Sequence, residues 1–458
     1  MTDVLNSLKS GAKVLLLNAP VSDTATAEKM GMIASEAPFG LLRIGAYFRQ
    51  RGCRVEWLDA LRDPLLNGRL RRHVRKILPC GSPENGASKE IYHYGLDSAQ
   101  LARRLAEFDA PDAIAISANF TWHSDVLAET IQTCKSVFPK TKTILGGNFP
   151  TVCPEEAART GADQVFSGDI EEARFLPTAI DLMPGPYHED YLRMIKGCPY
   201  KCSYCITNCL NGGHVYAQPP EKVFAELIDK RDRFGVKTFI FNDDFVLFQQ
   251  KKYLDPFLDM VIQEKPGAIL QFPLGFSAHI VTEPFIARMR QAGVETITLA
   301  LETISERRAR AMNRPHHIRE FVRAVDILKA HGYKGRNIRV FCLIGLPDQT
   351  LDEILKTICF LFHLGIMPSL TTYTLTPGSG DMERFKDRIQ WNALDELSPD
   401  LWRFANPEMR AGDLERTYRY FHEKYYPLER IVDSPTDDPV IVAMQKIVRS
   451  RGHLPENL

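Results

Sequence analysis

The stretch MIKGCPYKCSYCITNC, residues 194–209, determines how the rest of the chain is interpreted. It carries Cys198, Cys202 and Cys205 in C-x3-C-x2-C spacing, after a short apolar run and Gly197. This order predicts a strand that runs into a loop. Three thiolates on one loop can converge on a soft metal centre, because sulfur ligands favour zinc, copper or iron–sulfur clusters.

The number of cysteines restricts the kind of centre. A structural zinc site closes with four protein ligands, and an ordinary 4Fe-4S cluster also takes four cysteines. Three cysteines therefore leave one metal position open for another ligand. Cys209, four residues further on, is either a fourth ligand or a buried free thiol. A zinc knuckle and three unrelated thiols are the alternatives for the loop as a whole.

The loop resembles the signature of the radical S-adenosylmethionine (SAM) superfamily, in which an aromatic residue, here Tyr204, precedes the last cysteine. The resemblance implies a 4Fe-4S cluster held by Cys198, Cys202 and Cys205. Its fourth iron would bind the amino and carboxylate groups of S-adenosylmethionine. The resemblance further implies reductive cleavage of that molecule to a 5'-deoxyadenosyl radical.

Composition sets the broad class of the protein. The 458 residues are too many for one compact core and suggest two or three domains. Lysine plus arginine equals aspartate plus glutamate at 57 each, so the charge balance indicates neither nucleic acid nor an anionic membrane as a partner.

No run approaches the ~18 apolar residues of a membrane helix, and the first dozen residues lack a secretory signal, so we expect a cytoplasmic protein. The cysteines outside the loop are expected to be core thiols: Cys53, Cys80, Cys134, Cys153, Cys342 and Cys359.

Between residues 13 and 168 short apolar runs alternate with amphipathic patterns. KVLLLNAP, AIAISA and KTILGG are typical of buried strands, and GLLRIGAYFRQRG of a helix that ends at Gly52. This rhythm predicts an α/β domain with a doubly wound, Rossmann-like parallel sheet. Ligands bind such sheets beyond the carboxyl ends of the strands, which indicates the loops 18–38, 118–124 and 146–151. In the last loop, Gly146 and Gly147 either let the backbone approach a ligand or make a tight turn.

The segments PFGLLRIGAYFRQRG, PDAIAISA, ILGGNFPTVCPEEA and GADQVFSGDIEE resemble the cobalamin-binding-type domain that precedes the barrel in one class of radical SAM proteins. The resemblance covers about residues 13–175 and implies a corrin that lies over the carboxyl edge of the sheet and faces the cluster. The D-x-H-x-x-G motif that supplies a cobalt ligand in other cobalamin proteins is absent, so binding of cobalamin stays open. His123 either approaches a cofactor or begins a helix. Between residues 61 and 100 we expect one exposed helix at RLRRHVRK and a turn-rich loop at CGSPENGASKE.

After a linker at 171–189, strand–helix units resume. Six units predict a partial (β/α)6 TIM-type barrel with its chemistry at the carboxyl ends of the strands. Beyond residue 392, two patterns predict a small helical C-terminal region. The predicted domains are residues 1–180, 181–388 and 389–458. The predicted barrel strands are 192–195, 238–242, 269–272, 296–301, 338–343 and 369–374.

Polar residues follow several of these strands. Asp243 and Asp244 either face a cationic ligand group or cap the next helix. Glu302 ends the fourth strand, and Arg314 either pairs with a carboxylate or lies on the surface. Gly345 begins the GLPDQT turn, which resembles a superfamily segment that flanks adenine. The cofactor-binding candidates are Gly146, Gly147, Tyr204, Asp243, Asp244, Glu302, Arg314 and Gly345, beside the metal-binding candidates Cys198, Cys202 and Cys205.

We therefore predict a radical SAM enzyme that abstracts hydrogen from an unactivated carbon, with cobalamin-dependent methyl transfer if a corrin is bound. One alternative keeps the radical step for a rearrangement, cyclisation or dehydrogenation, with a degenerate cobalamin-type domain. Another alternative is a non-catalytic iron–sulfur redox or sensor protein. The expected partners are a small-molecule substrate and a reducing protein such as flavodoxin or ferredoxin. Neither a nucleic-acid partner nor a membrane segment is expected.

Overall fold

The computed structural model describes residues 4–25, 28, 38–81, 87–315, 318–387 and 394–455. The predicted α/β organisation is confirmed. A parallel sheet lies near the N-terminus, parallel strands alternate with helices in the second half, and helices dominate the C-terminal region.

The N-terminal half contains a five-stranded parallel sheet with the order β3-β1-β6-β7-β8. The strands of this half are β1 (Lys13–Asn18), β2 (Val21–Thr24), β3 (Arg54–Asp59), β4 (Arg71–Cys80), β5 (Ala87–Tyr94), β6 (Ala113–Ser117), β7 (Lys142–Gly146) and β8 (Gln164–Val165). Its helices are α1 (Val4–Ser7), α2 (Phe39–Gln50), α3 (Ser98–Leu105), α4 (Ser124–Val137), α5 (Asn148–Val152) and α6 (Pro154–Ala158). Residues 14–17 of β1 are apolar and fully buried, because helices cover both faces of the sheet.

The predicted exposed helix at RLRRHVRK is wrong. Residues 71–80 form β4, which pairs with β5, and β5 in turn pairs with β2 in a separate antiparallel sheet. Basic side chains of β4 bind the acidic face of α4, since Arg75 and Lys76 each form an ion pair with Asp125. These contacts are distant in sequence, so the local run of charges gave no strand pattern. In the predicted loop CGSPENGASKE, residues 87–90 begin β5, and residues 82–86 lie outside the described part of the chain.

The second half contains the predicted barrel strands. They are β9 (Glu189–Leu192), β10 (Ile195–Lys196), β11 (Tyr216–Ala217), β12 (Thr238–Phe241), β13 (Ile269–Gln271), β14 (Phe276–Ser277), β15 (Ile297–Glu302), β16 (Gly335–Ile344) and β17 (Ile366–Thr372). Strands β9, β12 and β13 form one parallel sheet, and β14 to β17 form another. The third predicted strand, 269–272, is β13 and pairs with β12, whereas β14, which was not predicted, pairs with β15. The first predicted strand, 192–195, spans the end of β9 and the start of β10. Strands β10 and β11 form a short antiparallel pair.

Helices alternate with these strands. They are α7 (Thr207–Leu210), α8 (Pro220–Phe234), α9 (Leu254–Glu264), α10 (Glu283–Gln291), α11 (Glu306–Ala311), α12 (Ile318–Ala330), α13 (Leu351–His363) and α14 (Gly380–Phe385). One continuous apolar core joins the barrel strands, their helices and the C-terminal region. This core fixes the carboxyl ends of the strands as a rigid rim.

The C-terminal region is helical, as predicted, with α15 (Ala411–Phe421), α16 (Leu428–Val432) and α17 (Pro439–Arg449). Its aromatic residues pack against α13. The ring of Phe362 lies 5.9 Å from Phe421, 5.6 Å from Tyr425 and 6.1 Å from Tyr426, measured between centroids. The domain boundaries at residues 180 and 388 stay predictions.

All ten cysteines belong to the described residues, and all are free thiols. The six outside the cysteine loop are buried, as predicted, whereas Cys209 is exposed and the expected buried thiol at that position is wrong. The scattered cysteines are therefore buried core residues and not partners in disulfide bonds. Within the described ranges, no helix combines the length and apolar composition needed to cross a bilayer.

Candidate functional site

A cavity of about 660 Å³ lies where the carboxyl ends of the first sheet face the carboxyl ends of the first barrel strands. The sheet contributes the three loops that the sequence indicated, in so far as they are described. The barrel contributes residues that follow β9 and β12. The lining includes Asn18, Ser117, Ala118, Gly146 and Thr151 from the first sheet and Arg193, Lys196, Asn242 and Asp244 from the barrel.

The two glycines at the end of β7 have different surroundings. A Cβ atom on Gly146 would have no atom within 4 Å, so the space beside this residue is open to the cavity. Gly147 has φ of +112°, and a Cβ atom there would lie 2.5 Å from the carbonyl oxygen of Ala118. Gly147 therefore makes the tight turn, while Gly146 leaves room for a ligand.

The three cysteines of the loop are half-buried neighbours. Burial raises the pKa of the Cys198 thiol to about 12, and the nearby Cys205 and Cys202 act in the same direction. Burial also raises the pKa of Cys202. No three His, Cys, Asp or Glu side chains among the described residues surround a single metal position. A 4Fe-4S cluster offers each thiolate a different iron, so the three sulfurs suit a cluster without meeting at one point.

Two carboxylates after β12 hold the backbone around the cysteine loop. Asp243 is buried, and its Oδ1 accepts hydrogen bonds from the backbone N–H of Met194 at 3.0 Å and of Ile195. Asp244 Oδ2 accepts a hydrogen bond from the backbone N–H of Gly197 at 2.7 Å. Neither residue caps a helix, because α9 begins only at Leu254. Burial raises the pKa of Asp243 to about 7, and its Oδ2 has no hydrogen-bond partner.

A second polar group connects the cysteine loop to the end of β15. The Arg314 guanidinium donates from Nη1 to the Tyr204 hydroxyl at 3.0 Å and approaches Cys202 Sγ at 3.9 Å. Its Nη2 lies 3.7 Å from Glu302 Oε1. Burial raises the pKa of Glu302, whose backbone has φ of +67°. The structure thus brings together Tyr204, Glu302 and Arg314 beside Cys202, and Arg314 is not a surface arginine.

The GLPDQT turn is fixed from within the protein. The amide oxygen of Gln349 accepts hydrogen bonds from the backbone N–H of Gly345 at 2.9 Å and of Leu346 at 3.2 Å. Arg308 donates to the carbonyl oxygen of Pro347 at 2.9 Å. A Cβ atom on Gly345 would lie 2.9 Å from the Trp402 ring, so the C-terminal region covers this glycine.

His123 combines its two predicted positions. It directly precedes α4 and also lines the cavity. Its ring is buried, and Nε2 lies 3.8 Å from Asp23 Oδ2. The imidazole therefore contacts a carboxylate of β2 at the edge of the cavity.

The sequence analysis missed four basic residues that line the cavity. They are Arg43 of α2, Arg174, and Arg193 and Lys196 near the ends of β9 and β10. Arg43 interrupts an apolar face, since its helical neighbours Phe39 and Tyr47 lie four residues away on either side. That interruption was the available signal. Arg193 and Lys196 gave no local signal.

Two family models match separate parts of the chain. Residues 83–174 match the B12 binding domain, and residues 192–361 match the radical SAM superfamily. The chain is also 23% identical over 293 residues to bacteriochlorophyllide d C-12(1)-methyltransferase from Chlorobaculum tepidum. That match covers 55% of this chain and 62% of the relative.

Solved structures share the fold over most of the chain. The radical S-adenosylmethionine methyltransferase TsrM from Kitasatospora setae, solved with cobalamin and a 4Fe-4S cluster, superposes with a TM-score of 0.61 at 12% identity. The match covers 82% of this chain and 78% of TsrM. The cobalamin-dependent S-adenosylmethionine radical enzyme OxsB gives a TM-score of 0.59 at 11% identity over 96% of this chain and 71% of OxsB. These comparisons confirm the order of domains that the sequence predicted.

Proposed function

We propose that this chain, in which a B12-binding domain precedes a radical SAM domain, is an enzyme that transfers a methyl group to an unactivated carbon of a small molecule. When bound, the 4Fe-4S cluster supplies the electron that cleaves S-adenosylmethionine, and cobalamin supplies a transferable methyl group. The protein binds and orients these groups and excludes water from them.

The cavity between the two domains is the observation that carries this proposal. One wall is the carboxyl edge of the parallel sheet, where ligands of doubly wound domains bind. The other wall is the rim of the barrel, where (β/α) barrels place their chemistry. A substrate held between these walls would meet both cofactors.

The barrel side fits a cluster and S-adenosylmethionine. Cys198, Cys202 and Cys205 would hold the cluster, and the three thiols supply a donor set without a fourth cysteine in the motif. Asp243 and Asp244 keep the loop backbone in place through their hydrogen bonds. The remaining candidates, Tyr204, Glu302, Arg314 and Gly345, would bind polar groups or the adenine of S-adenosylmethionine.

The sheet side fits a broad, flat cofactor such as the corrin. Small residues line it, including Ala19, Ser117 and Ala118, and the open space at Gly146 would admit a ring close to the backbone. Gly147, which makes the adjacent turn, has no side chain, so no side-chain atoms from this position cover the wall. The imidazole of His123, which lines this cavity, already contacts the Asp23 carboxylate.

Methyl transfer is one of two radical outcomes that the same site allows. In a rearrangement, cyclisation or dehydrogenation the sheet side would only shape the substrate site. The open surface at Gly146 favours methyl transfer, because that reaction needs room for a corrin on the sheet side. An oxygen-sensitive reaction of either kind fits a reducing compartment such as the cytoplasm and an electron donor such as flavodoxin or ferredoxin.

Anaerobic reconstitution tests the proposal. Protein produced with cobalamin in the medium should contain about four irons and one corrin per chain, and it should form 5'-deoxyadenosine from S-adenosylmethionine and a reductant. Iron and 5'-deoxyadenosine without corrin would favour the non-methylating reaction. Zinc in place of iron, or a cluster that forms no 5'-deoxyadenosine, would overturn the enzymatic proposal.

A further inference from the structure

Two arginines, Arg43 and Arg193, line the interdomain cavity. Arg43 is only 5% exposed, and its Nε donates to the carbonyl oxygen of Leu176 at 2.7 Å. Arg193 donates from Nε to the carbonyl oxygen of Asn242 at 3.2 Å. In the described part of the chain, no ion pair within 4 Å includes either guanidinium, whereas Arg308 and Arg403 each pair with a glutamate.

The carboxylates that act on the charge of Arg43 also contact other groups. Asp190 and Glu226 act on its charge, but both lie against Lys230, whose Nζ is 2.7 Å from the aspartate and 2.6 Å from the glutamate. Asp243 also acts on Arg43, and its Oδ1 accepts two backbone hydrogen bonds. Burial lowers the pKa of Arg43 to about 9, and the neighbouring Arg193 acts in the same direction. A buried charge in this position is costly unless a partner arrives.

The other charged side chains that line the cavity are balanced, with the cations Arg174 and Lys196 and the carboxylates Asp169 and Asp244. Lys196 and Arg174 share a single carboxylate, Asp169, at 2.7 Å and 2.6 Å. The first turn of the twelve-residue helix α2 lines the cavity, and its N-cap, Pro38, provides no side-chain hydrogen bond. That turn contains no acidic residue, so the positive end of the helix dipole faces the same space.

We propose that Arg43 and Arg193 form a subsite for an anionic oxygen group, a phosphate or a carboxylate, of the molecule that occupies the interdomain cavity. Guanidinium groups bind both anions through paired N–H donors, which a lysine cannot reproduce. Only the identity of the occupant rests on the proposed function. Among the described residues neither guanidinium has an ion pair, and a bound anion would supply that partner.

Binding of inorganic phosphate to the full chain without cofactors tests the subsite. By calorimetry at fixed ionic strength, Arg43→Gln and Arg193→Gln should each bind phosphate about tenfold more weakly than the unaltered protein. The matched control is Arg51→Gln, at the exposed end of the same helix, which should bind phosphate normally. Arg193 is less buried than Arg43, so its variant keeps the test valid if Arg43→Gln does not fold. Equal phosphate affinity in all four proteins would overturn the proposal.

Two corrins then identify the source of the anion. Hydroxocobalamin carries a phosphodiester, whereas cobinamide has the same ring without it. Loss of phosphate binding after loading with hydroxocobalamin, but not with cobinamide, assigns the subsite to the corrin. Phosphate binding that persists with both corrins assigns it to an anionic substrate. Failure of the enzyme to form 5'-deoxyadenosine would leave the phosphate result unchanged, so the two proposals fail separately.

Discussion

On the barrel side of the cavity, charged side chains bind the cysteine loop, whereas the sheet side presents small residues and backbone at the ends of β6 and β7. Asp243 and Asp244 accept three backbone N–H groups around the loop, and Arg314 donates to Tyr204. On the opposite wall, Gly146 and Ala118 present no charge to the cavity. We therefore expect the barrel side to be disturbed when a single hydrogen-bonding group is removed, and the sheet side to be disturbed when a larger side chain is introduced.

The largest effect is expected from the cysteine loop. Cys202→Ser should reduce the iron of the reconstituted protein from about four atoms to near zero and abolish 5'-deoxyadenosine formation, because the cluster would lose one of three ligands. Iron analysis and product chromatography measure both effects. Cys209→Ser is the matched control, since Cys209 is exposed and lies outside the three-cysteine motif. Loss of iron from the Cys209→Ser variant would instead show that Cys209 is a cluster ligand.

The carboxylate behind the loop should have the next largest effect. Asp243→Ala leaves the N–H groups of Met194 and Ile195 without their acceptor, which should lower the free energy of unfolding by about 2–4 kcal/mol. Asp243→Asn keeps an acceptor oxygen and should cost less than half as much. The raised pKa of Asp243, about 7, agrees with a site that tolerates a neutral side chain. Urea unfolding of both variants checks this, and equal losses would show that the hydrogen bonds do not hold the loop.

The sheet side should respond to volume instead. Gly147→Ala should lower the free energy of unfolding by about 1–3 kcal/mol, because its φ is positive and the new Cβ meets the Ala118 backbone. Gly146→Leu should leave stability within about 0.5 kcal/mol of the original but weaken corrin binding about tenfold. Unfolding curves and absorbance titration with hydroxocobalamin separate these effects. Normal corrin binding by Gly146→Leu would place the corrin elsewhere.

The features that the sequence predicted correctly depend on local patterns. The apolar strands each occupy a few adjacent residues, and five of the six predicted barrel strands overlap observed strands over most of their length. Contacts between distant residues were not predictable in this way. Strand β4 depends on its pairing with β5, and the cover of Gly345 comes from Trp402, 57 residues later in the chain. Arg43 gave a local signal as a charge on an apolar helical face, but only the assembled cavity places it beside Arg193.

The smallest effect is expected behind the sheet side, at His93 of β5. Its ring is buried, Nε2 lies 2.8 Å from the carbonyl oxygen of Leu96, and burial lowers its pKa, with the nearby Arg75 and His73 acting in the same direction. The unfolded chain therefore takes up a proton near pH 6.5, at a higher pH than the folded protein does. Stability should fall as the pH falls below that value, because the unfolded state then binds more protons. Urea unfolding between pH 7 and pH 5 should show a steeper loss for the unaltered protein than for His93→Gln, with equal corrin content in both. If the two stability curves run parallel, the pKa of His93 does not differ between the folded and unfolded states. A change in corrin content in the variant would show that β5 belongs to the sheet side of the cavity.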